Sequence, residues 1–214
     1  MNNIKLHGTL TNIQTSHTID DIQYDKATLL VPRYKQNKED VINIRFKHFS
    51  LPLEYQQCTT DCCQIDLVGQ VRSYSQKKQD GSNKVELYVF TYFDLPERTD
   101  ENIDYTVTNQ LLLDGRICKI DDLRETSTGK HNIHLILANN IIVSNGLKKL
   151  NSYIPCIAWG TVAKRLSKLS VNTPISIDGE LHSREYIKHF SDGSSEIRVA
   201  HECLIRDFTI LETI

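Results

Sequence analysis

Two short alternating segments, each with a glycine near its middle, recur along the chain and limit what it can fold into. Ile4-Lys5-Leu6-His7-Gly8-Thr9-Leu10 is matched by Leu111-Leu112-Leu113-Asp114-Gly115-Arg116-Ile117. A second glycine-marked segment follows in each half, at Gly69 after 61 residues and at Gly179 after 64. Alternation of apolar and polar residues marks a half-buried strand, so each half begins and nearly ends its core on such a strand. A chain of 214 residues could form one large domain or two of about 100; the repeat favours two.

Each unit reads as five strands. In the first half they are Ile4 to Leu10, Ala27 to Arg33, Val41 to Lys47, Gln64 to Tyr74 and Val85 to Tyr92, the last two joined by Gln79-Asp80-Gly81-Ser82, where Asp-Gly signals a hairpin. The second half answers with Leu111 to Ile117, Ile133 to Asn139, Tyr153 to Trp159, Ile175 to Tyr186 and Glu196 to Arg206, the last pair flanking Asp192-Gly193-Ser194. Leu95 to Asp104 is polar, contains a proline and breaks the periodicity, so it reads as a linker. The expected domains are 1–96 and 106–214, joined by 97–105. Thr161 to Leu169 carries Val162, Leu166 and Leu169 at helical spacing, a short amphipathic helix between the third and fourth strands. The corresponding Phe49 to Cys63 has no clear copy of it and reads as a loop or helical turn. Five strands with a helix after the third is the order of an OB-fold, and the expected class is all-β, two tandem five-stranded OB-fold barrels.

In Tyr153-Ile154-Pro155-Cys156-Ile157-Ala158-Trp159, a period of two puts Ile154, Cys156 and Ala158 on a small apolar face and Tyr153 and Trp159 at the ends of the other. A strand rising about 3.3 Å per residue sets these rings roughly 20 Å apart. Core packing or a subunit interface would also use such aromatics. In the next strand Ile175, Ile177, Gly179 and Leu181 alternate against a polar face that continues through Arg184 and Tyr186.

At these residues the chain resembles the bacterial single-stranded DNA-binding protein family. Tyr153, Trp159 before Gly160, and Tyr186 seven residues after Gly179 match the family's aromatic positions, and the resemblance implies that bases stack on them. Val31-Pro32-Arg33, Val71-Arg72-Ser73-Tyr74, Ile154 to Gly160 and Ser183-Arg184-Glu185-Tyr186 extend the likeness to both halves, as in tandem two-OB members from clostridia and their relatives. It implies a non-enzymatic protein that binds single-stranded DNA without strong sequence preference in replication, recombination or repair. One-barrel members form tetramers, so the resemblance implies a homodimer with four barrels. The members' acidic recruitment tail has no counterpart after Phe208 to Ile214, so recruitment through such a tail is not expected.

Charge gives this reading no general support. The formal net charge is −2 and the pI near 6.4, so any phosphate affinity must come from a local patch. The candidates are Lys130, Lys148, Lys149, Lys164, Arg165, Arg184 and Lys188, with Arg184 first because it shares strand parity with Tyr186. Aligning Val41 to Lys47 beneath Tyr153 to Trp159 puts Val41 and Lys47 where the aromatics stood. Gln76 falls at the Tyr186 position, with Tyr74 outward two residues earlier. The first half therefore reads as an outward face of Arg33, Arg45, Lys47 and Arg72, suited to tracking a phosphate backbone or to a subunit interface.

Other chemistries find little footing. Asp20-Asp21 and Asp121-Asp122 sit in expected turns, without a phosphate loop or a nucleophile beside a histidine. Cys58, Cys62 and Cys63 lack paired CxxC ligand knuckles; no metal or other cofactor is expected, and all six cysteines are expected as free thiols. No apolar run approaches the 18 residues of a membrane span, and a cytoplasmic, nucleoid-associated protein is expected. An OB-fold RNA-binding or primosome-type accessory, and a protein-interaction scaffold without nucleic acid, are the alternatives.

Overall fold

The computed structural model describes residues 1–33, 36–52, 63–77, 83–91, 108–143, 148–190 and 193–212. The expected linker, the turn at 79–82, most of the segment from Phe49 to Cys63 and Asp192 lie outside them. Eleven strands are present among the described residues: β1 (Asn2–Ile19), β2 (Ile22–Pro32), β3 (Glu39–Lys47), β4 (Cys63–Lys77), β5 (Asn83–Thr91), β6 (Asn109–Ile120), β7 (Arg124–Glu125), β8 (His131–Val143), β9 (Lys148–Trp159), β10 (Pro174–His189) and β11 (Ser195–Ile210). One helix, α1 (Gly160–Leu166), follows β9, and a 3-10 turn, His48–Ser50, follows β3.

All ten expected strands are found, and most are longer than the alternation shows. β1 runs on to Ile19 and returns through Asp20 and Asp21, whose φ values of 48° and 61° make a tight turn. The carboxylate pair thus lies in a turn, as its sequence implies.

Strand pairing closes a ring in each half. β1 pairs with β2, β2 with β3, β3 with β5 in parallel, β5 with β4, and β4 again with β1. In the same way β6 pairs with β8, β8 with β9, β9 with β11 in parallel, β11 with β10, and β10 again with β6. The inward faces are those the alternation selects. Ile42, Ile44 and Phe46 of β3 and Ile154, Cys156 and Ala158 of β9 are buried, while Asn43, Arg45 and Lys47 face away from the core. Ala163 and Leu166 plant α1 on the second core, with Val162 and Leu169 packed at its edge.

The four strand glycines make these rings possible. A Cβ on Gly8 would lie 2.2 Å from the Leu30 carbonyl oxygen and one on Gly179 2.2 Å from that of Leu204, with equivalent collisions at Gly69 and Gly115. Backbone cannot swing aside as a flexible side chain can, so any larger residue would push two paired strands apart.

The rings are joined by antiparallel pairing of β1 with β6, from Asn2 opposite Leu113 to Leu6 opposite Asn109. Two asparagines copy the junction on either side of it. Asn2 donates to the Val71 carbonyl at 2.8 Å and accepts from the Val71 N–H at 2.9 Å; Asn109 does the same with Leu181 at 2.7 and 3.0 Å. The repeated sequence is therefore folded about an approximate two-fold axis.

The expectation of free thiols holds for Cys118, Cys156 and Cys203 and fails at Cys63, which is disulfide-bonded; with those three free, its partner lies outside the described residues. Gly179→Ala is expected to destabilise the fold by about 1 to 3 kcal/mol, the usual cost of forcing atoms into a packed site. Urea unfolding measures it, and an unchanged midpoint would show that β10 and β11 can separate at no cost.

Candidate nucleic-acid interface

The outward face of β8 and β9 carries the aromatic platform. Tyr153 is 50% exposed and Trp159 42%. Their partners across the pair are small or short, Ala138 opposite Tyr153 and Asn132 opposite Trp159, so no large side chain stands directly opposite either ring. Between them Ile157 is buried beside Leu204 of β11, which gives the strand an apolar middle on its outward face as well. Gly160, with φ of +59°, turns the chain into α1 just after Trp159; Lys164 is exposed on that helix, and Lys130 is exposed just before β8. Arg165 is committed elsewhere, paired with Asp207 at 2.7 Å and set over the Phe208 ring.

Beyond Ser183, β10 and β11 extend as a two-faced arm. One face interleaves cations and rings: Arg184 lies 5.9 Å from the Tyr186 ring centre, and Lys188 and Arg198 lie 5.3 and 5.4 Å from that of Phe190. Tyr186 is 38% exposed and faces Arg198 across the pair. Arg184 is also 3.4 Å from Glu202, and Arg198 is 2.6 Å from Glu196. The other face shows Ile187, Ile197 and Val199.

The expected basic face of the first half is dispersed. Arg33 forks onto Asp40 at 2.6 and 2.9 Å and donates to the Ser183 carbonyl at 2.7 Å. Arg72 does not stand on an open surface. It is buried, with its guanidinium 4.0 Å from the centre of the Phe90 ring. Lys47 lies over Phe49, and Arg45 lies 4.3 Å from the centre of the Tyr88 ring and 5.7 Å from that of Tyr74, itself 49% exposed. Tyr88, Phe90 and Tyr24, which stacks on His17 at 5.1 Å, went unnoticed as a group in the sequence. The alternation of Glu86, Tyr88 and Phe90 against Leu87, Val89 and Thr91 carried that signal. Among the described residues no group of three His, Cys, Asp or Glu side chains is placed to hold a metal ion, and no helix is long and apolar enough to cross a membrane.

A family model described as the single-strand binding protein family matches residues 108–208. The match covers most of the second half of the chain and none of the first. The fold of the whole chain is similar to two crystal structures of the single-stranded DNA binding protein from Thermus aquaticus. One is the wild type, with TM-score 0.70, 18% identity and coverage of 100% of this chain and 94% of that one. The other is a deletion variant, with TM-score 0.69, 19% identity and coverage of 100% and 96%. No curated protein sequence matches the chain.

In this fold the halves meet again at two seams. At one, the Tyr153 N–H donates to Ser73 Oγ at 2.8 Å and the Ser73 N–H to Ser152 Oγ at 3.3 Å, so β9 abuts β4. At its counterpart, the Val41 N–H donates to Ser183 Oγ at 2.8 Å and the Ser183 N–H to Asp40 Oδ1 at 2.6 Å, so β3 abuts β10. Asp40 is almost fully buried. A buried carboxylate needs a countercharge and several donors, which Arg33 and Ser183 supply. His182 lies between Asp40, at 3.6 Å, and Glu180, at 2.5 Å, and Glu180 also meets Arg206. His201 Nε2 pairs with the Val41 carbonyl at 2.7 Å.

Burial holds both imidazoles below their ordinary range, against the pull of Asp40 on each, with the Val41 carbonyl also opposing it at His201 and Arg33 adding to it at His182. In the unfolded chain they bind protons more readily, so the unfolded state takes up more protons in mild acid. Stability is therefore expected to be full above about pH 6.5 and to fall as the pH drops below it. Unfolding midpoints between pH 7.5 and about 5 check this, and His201→Gln should flatten the dependence; an unchanged slope would remove His201 from it.

Proposed function

We infer that the protein binds single-stranded DNA with little sequence preference, stacking bases on Tyr153, Trp159 and Tyr186. The observation that carries this reading is the open outward face of β9 in the half that matches the single-strand binding family, where two exposed rings stand opposite small partners. Stacking on a ring tolerates any base, because every base has a π-face, and contributes about 1 to 3 kcal/mol. Lys130, Lys164 and Arg184 border the rings and supply phosphate contacts. In the first half Arg45, Lys47 and Tyr74 remain on the outer surface, while Arg33 and Arg72 serve the fold.

In this reading the chain is two tandem five-stranded OB barrels, 1–96 and 106–214 with a linker at 97–105, supported by the two closed rings of strand pairing. It acts as a binding protein without catalysis or cofactor, in the cytoplasm, at single strands exposed during replication, recombination or repair. Two copies of the chain would bring four barrels together.

Trp159 is the only tryptophan, so its emission reports one place. Adding oligo-dT should quench it, and Trp159→Ala should weaken binding by about 1 to 3 kcal/mol. Emission that follows protein concentration and ignores DNA would place Trp159 in a subunit interface and overturn the reading. Because Arg33, Arg165 and Arg198 are already paired with carboxylates, the salt dependence should be shallow. Each phosphate neutralised on a single strand contributes a slope of about −0.7, and a handful of contacts is expected. A steep slope together with full affinity in Trp159→Ala would show that charge, and not stacking, holds the strand.

A further inference from the structure

We propose that the first half holds a second base-stacking site, built from Tyr88, Arg45 and Tyr74, which takes bases of the same single strand after it crosses the seam between β4 and β9. This rests on the reading of the second half as a single-stranded DNA site and extends it to strands that the sequence repeat leaves without matching aromatics.

The approximate two-fold axis makes the comparison residue by residue. Val41 and Tyr153 occupy equivalent places, since each donates its N–H to the serine Oγ of the other half, Ser183 or Ser73. Arg45 is then equivalent to Ile157. Through the parallel pairs Arg45 with Phe90 and Ile157 with Leu204, Tyr88 is equivalent to Glu202. Tyr74, following Ser73, is equivalent to Arg184. At these equivalent places the second half carries Ile157 on its third strand, β9, and the charged Arg184 and Glu202 on its fourth and fifth, β10 and β11. In the first half this is reversed, with the cation Arg45 on β3 and the rings on β4 and β5.

Arg45 reaches across both rings, with Cζ 4.3 Å from the Tyr88 centroid and 5.7 Å from that of Tyr74, and its ion pair with Glu86 is long at 3.7 Å. A guanidinium is planar and stacks on aromatic faces much as a base does. The geometry that holds it over two tyrosines therefore suits a nucleobase laid on the same rings, with the displaced Arg45 free to meet the adjoining phosphate.

The seams decide which way a strand can run. Where β9 meets β4, neutral serines make the contacts, and Tyr153 and Tyr74, the most exposed tyrosines among the described residues, lie at and next to those hydrogen bonds. At the counterpart seam Val41 and Arg184 take the tyrosines' places, and Asp40, Arg33 and Glu202 crowd it with charge. Tyr153 and Tyr74 put a ring on each side of the first seam; at the second, Tyr186 follows Arg184 on β10, while Val41 leaves the β3 side without one.

The test uses the whole chain and two lengths of oligo-dT, about 10 and about 30 nucleotides, one fitting a single barrel and the other reaching both. Trp159 quenching reads binding of the short strand to the second half, and anisotropy of a labelled long strand reads total affinity. Tyr74→Ala and Tyr88→Ala are each expected to weaken the long strand about tenfold while leaving the short-strand quenching curve unchanged. Tyr74→Phe and Tyr88→Phe, which keep the ring, should restore the long-strand affinity. Unchanged long-strand affinity in both alanine variants, with quenching intact, overturns this second site and leaves the second-half reading standing. Equal losses in the phenylalanine variants also overturn it, because stacking needs no hydroxyl. If the wild type shows no quenching with either strand, the reading of the second half fails and this site falls with it.

Discussion

Everything distinctive about this molecule depends on the antiparallel pairing of β1 with β6. Each ring is closed by its own strands, yet its first strand also forms hydrogen bonds to the first strand of the other ring. A lone pair of strands is marginal in water. Here it is held at both ends by Asn2 and Asn109, each satisfying the N–H and C=O of one residue on a neighbouring strand. Those buried polar groups would otherwise go unpaired, which costs more than a hydrogen bond returns. The pairing fixes the angle between the halves and so brings β4 against β9 and β3 against β10.

Repetition followed by divergence explains how the two seams came to differ. One is made by serine hydroxyls and leaves rings on its rim. The other buries Asp40, and a buried charge is tolerated only when it is surrounded by donors. Arg33 is drawn inward to meet it, which takes a cation away from the outer surface. Arg165 with Asp207 and Arg184 with Glu202 are pairs of another kind, in which both arginines stay more than half exposed. With slightly more acidic than basic residues and several arginines tied to carboxylates, affinity for a polyanion must lean on rings as well as on exposed lysines such as Lys130 and Lys164.

Much of this was legible in the residues. The alternation in β3, β9 and β10 placed Ile42, Ile44, Phe46, Ile154, Cys156 and Leu181 inside, because side chains on a strand point to opposite faces in turn. It also placed Tyr153, Trp159 and Tyr186 outside. The helix after β9 was read from spacing alone. The full length of β1, β2, β10 and β11 was not, since beyond the ring of paired strands the strands of an arm are exposed on both faces and lose their alternation. Ile187, Ile197 and Val199 show this.

By itself, then, the sequence determined the repeat, the ten strands and their inward faces, and the aromatic positions of the second half. These are local properties, set by the period of two, by turn residues and by glycines where backbones must touch. Only the tertiary structure decided which charges are free. Sequence alternation does not tell Arg33, Arg72 and Arg45 apart; the structure forks Arg33 onto a carboxylate from β3, buries Arg72 against Phe90 and lays Arg45 over Tyr88 and Tyr74. It likewise decided that Tyr74, Tyr88 and Arg45 form one cluster and that Tyr74 lies near Tyr153. Residues 79 positions apart come together only because β1 pairs with β6, and no local pattern encodes a contact made by the closing of two rings.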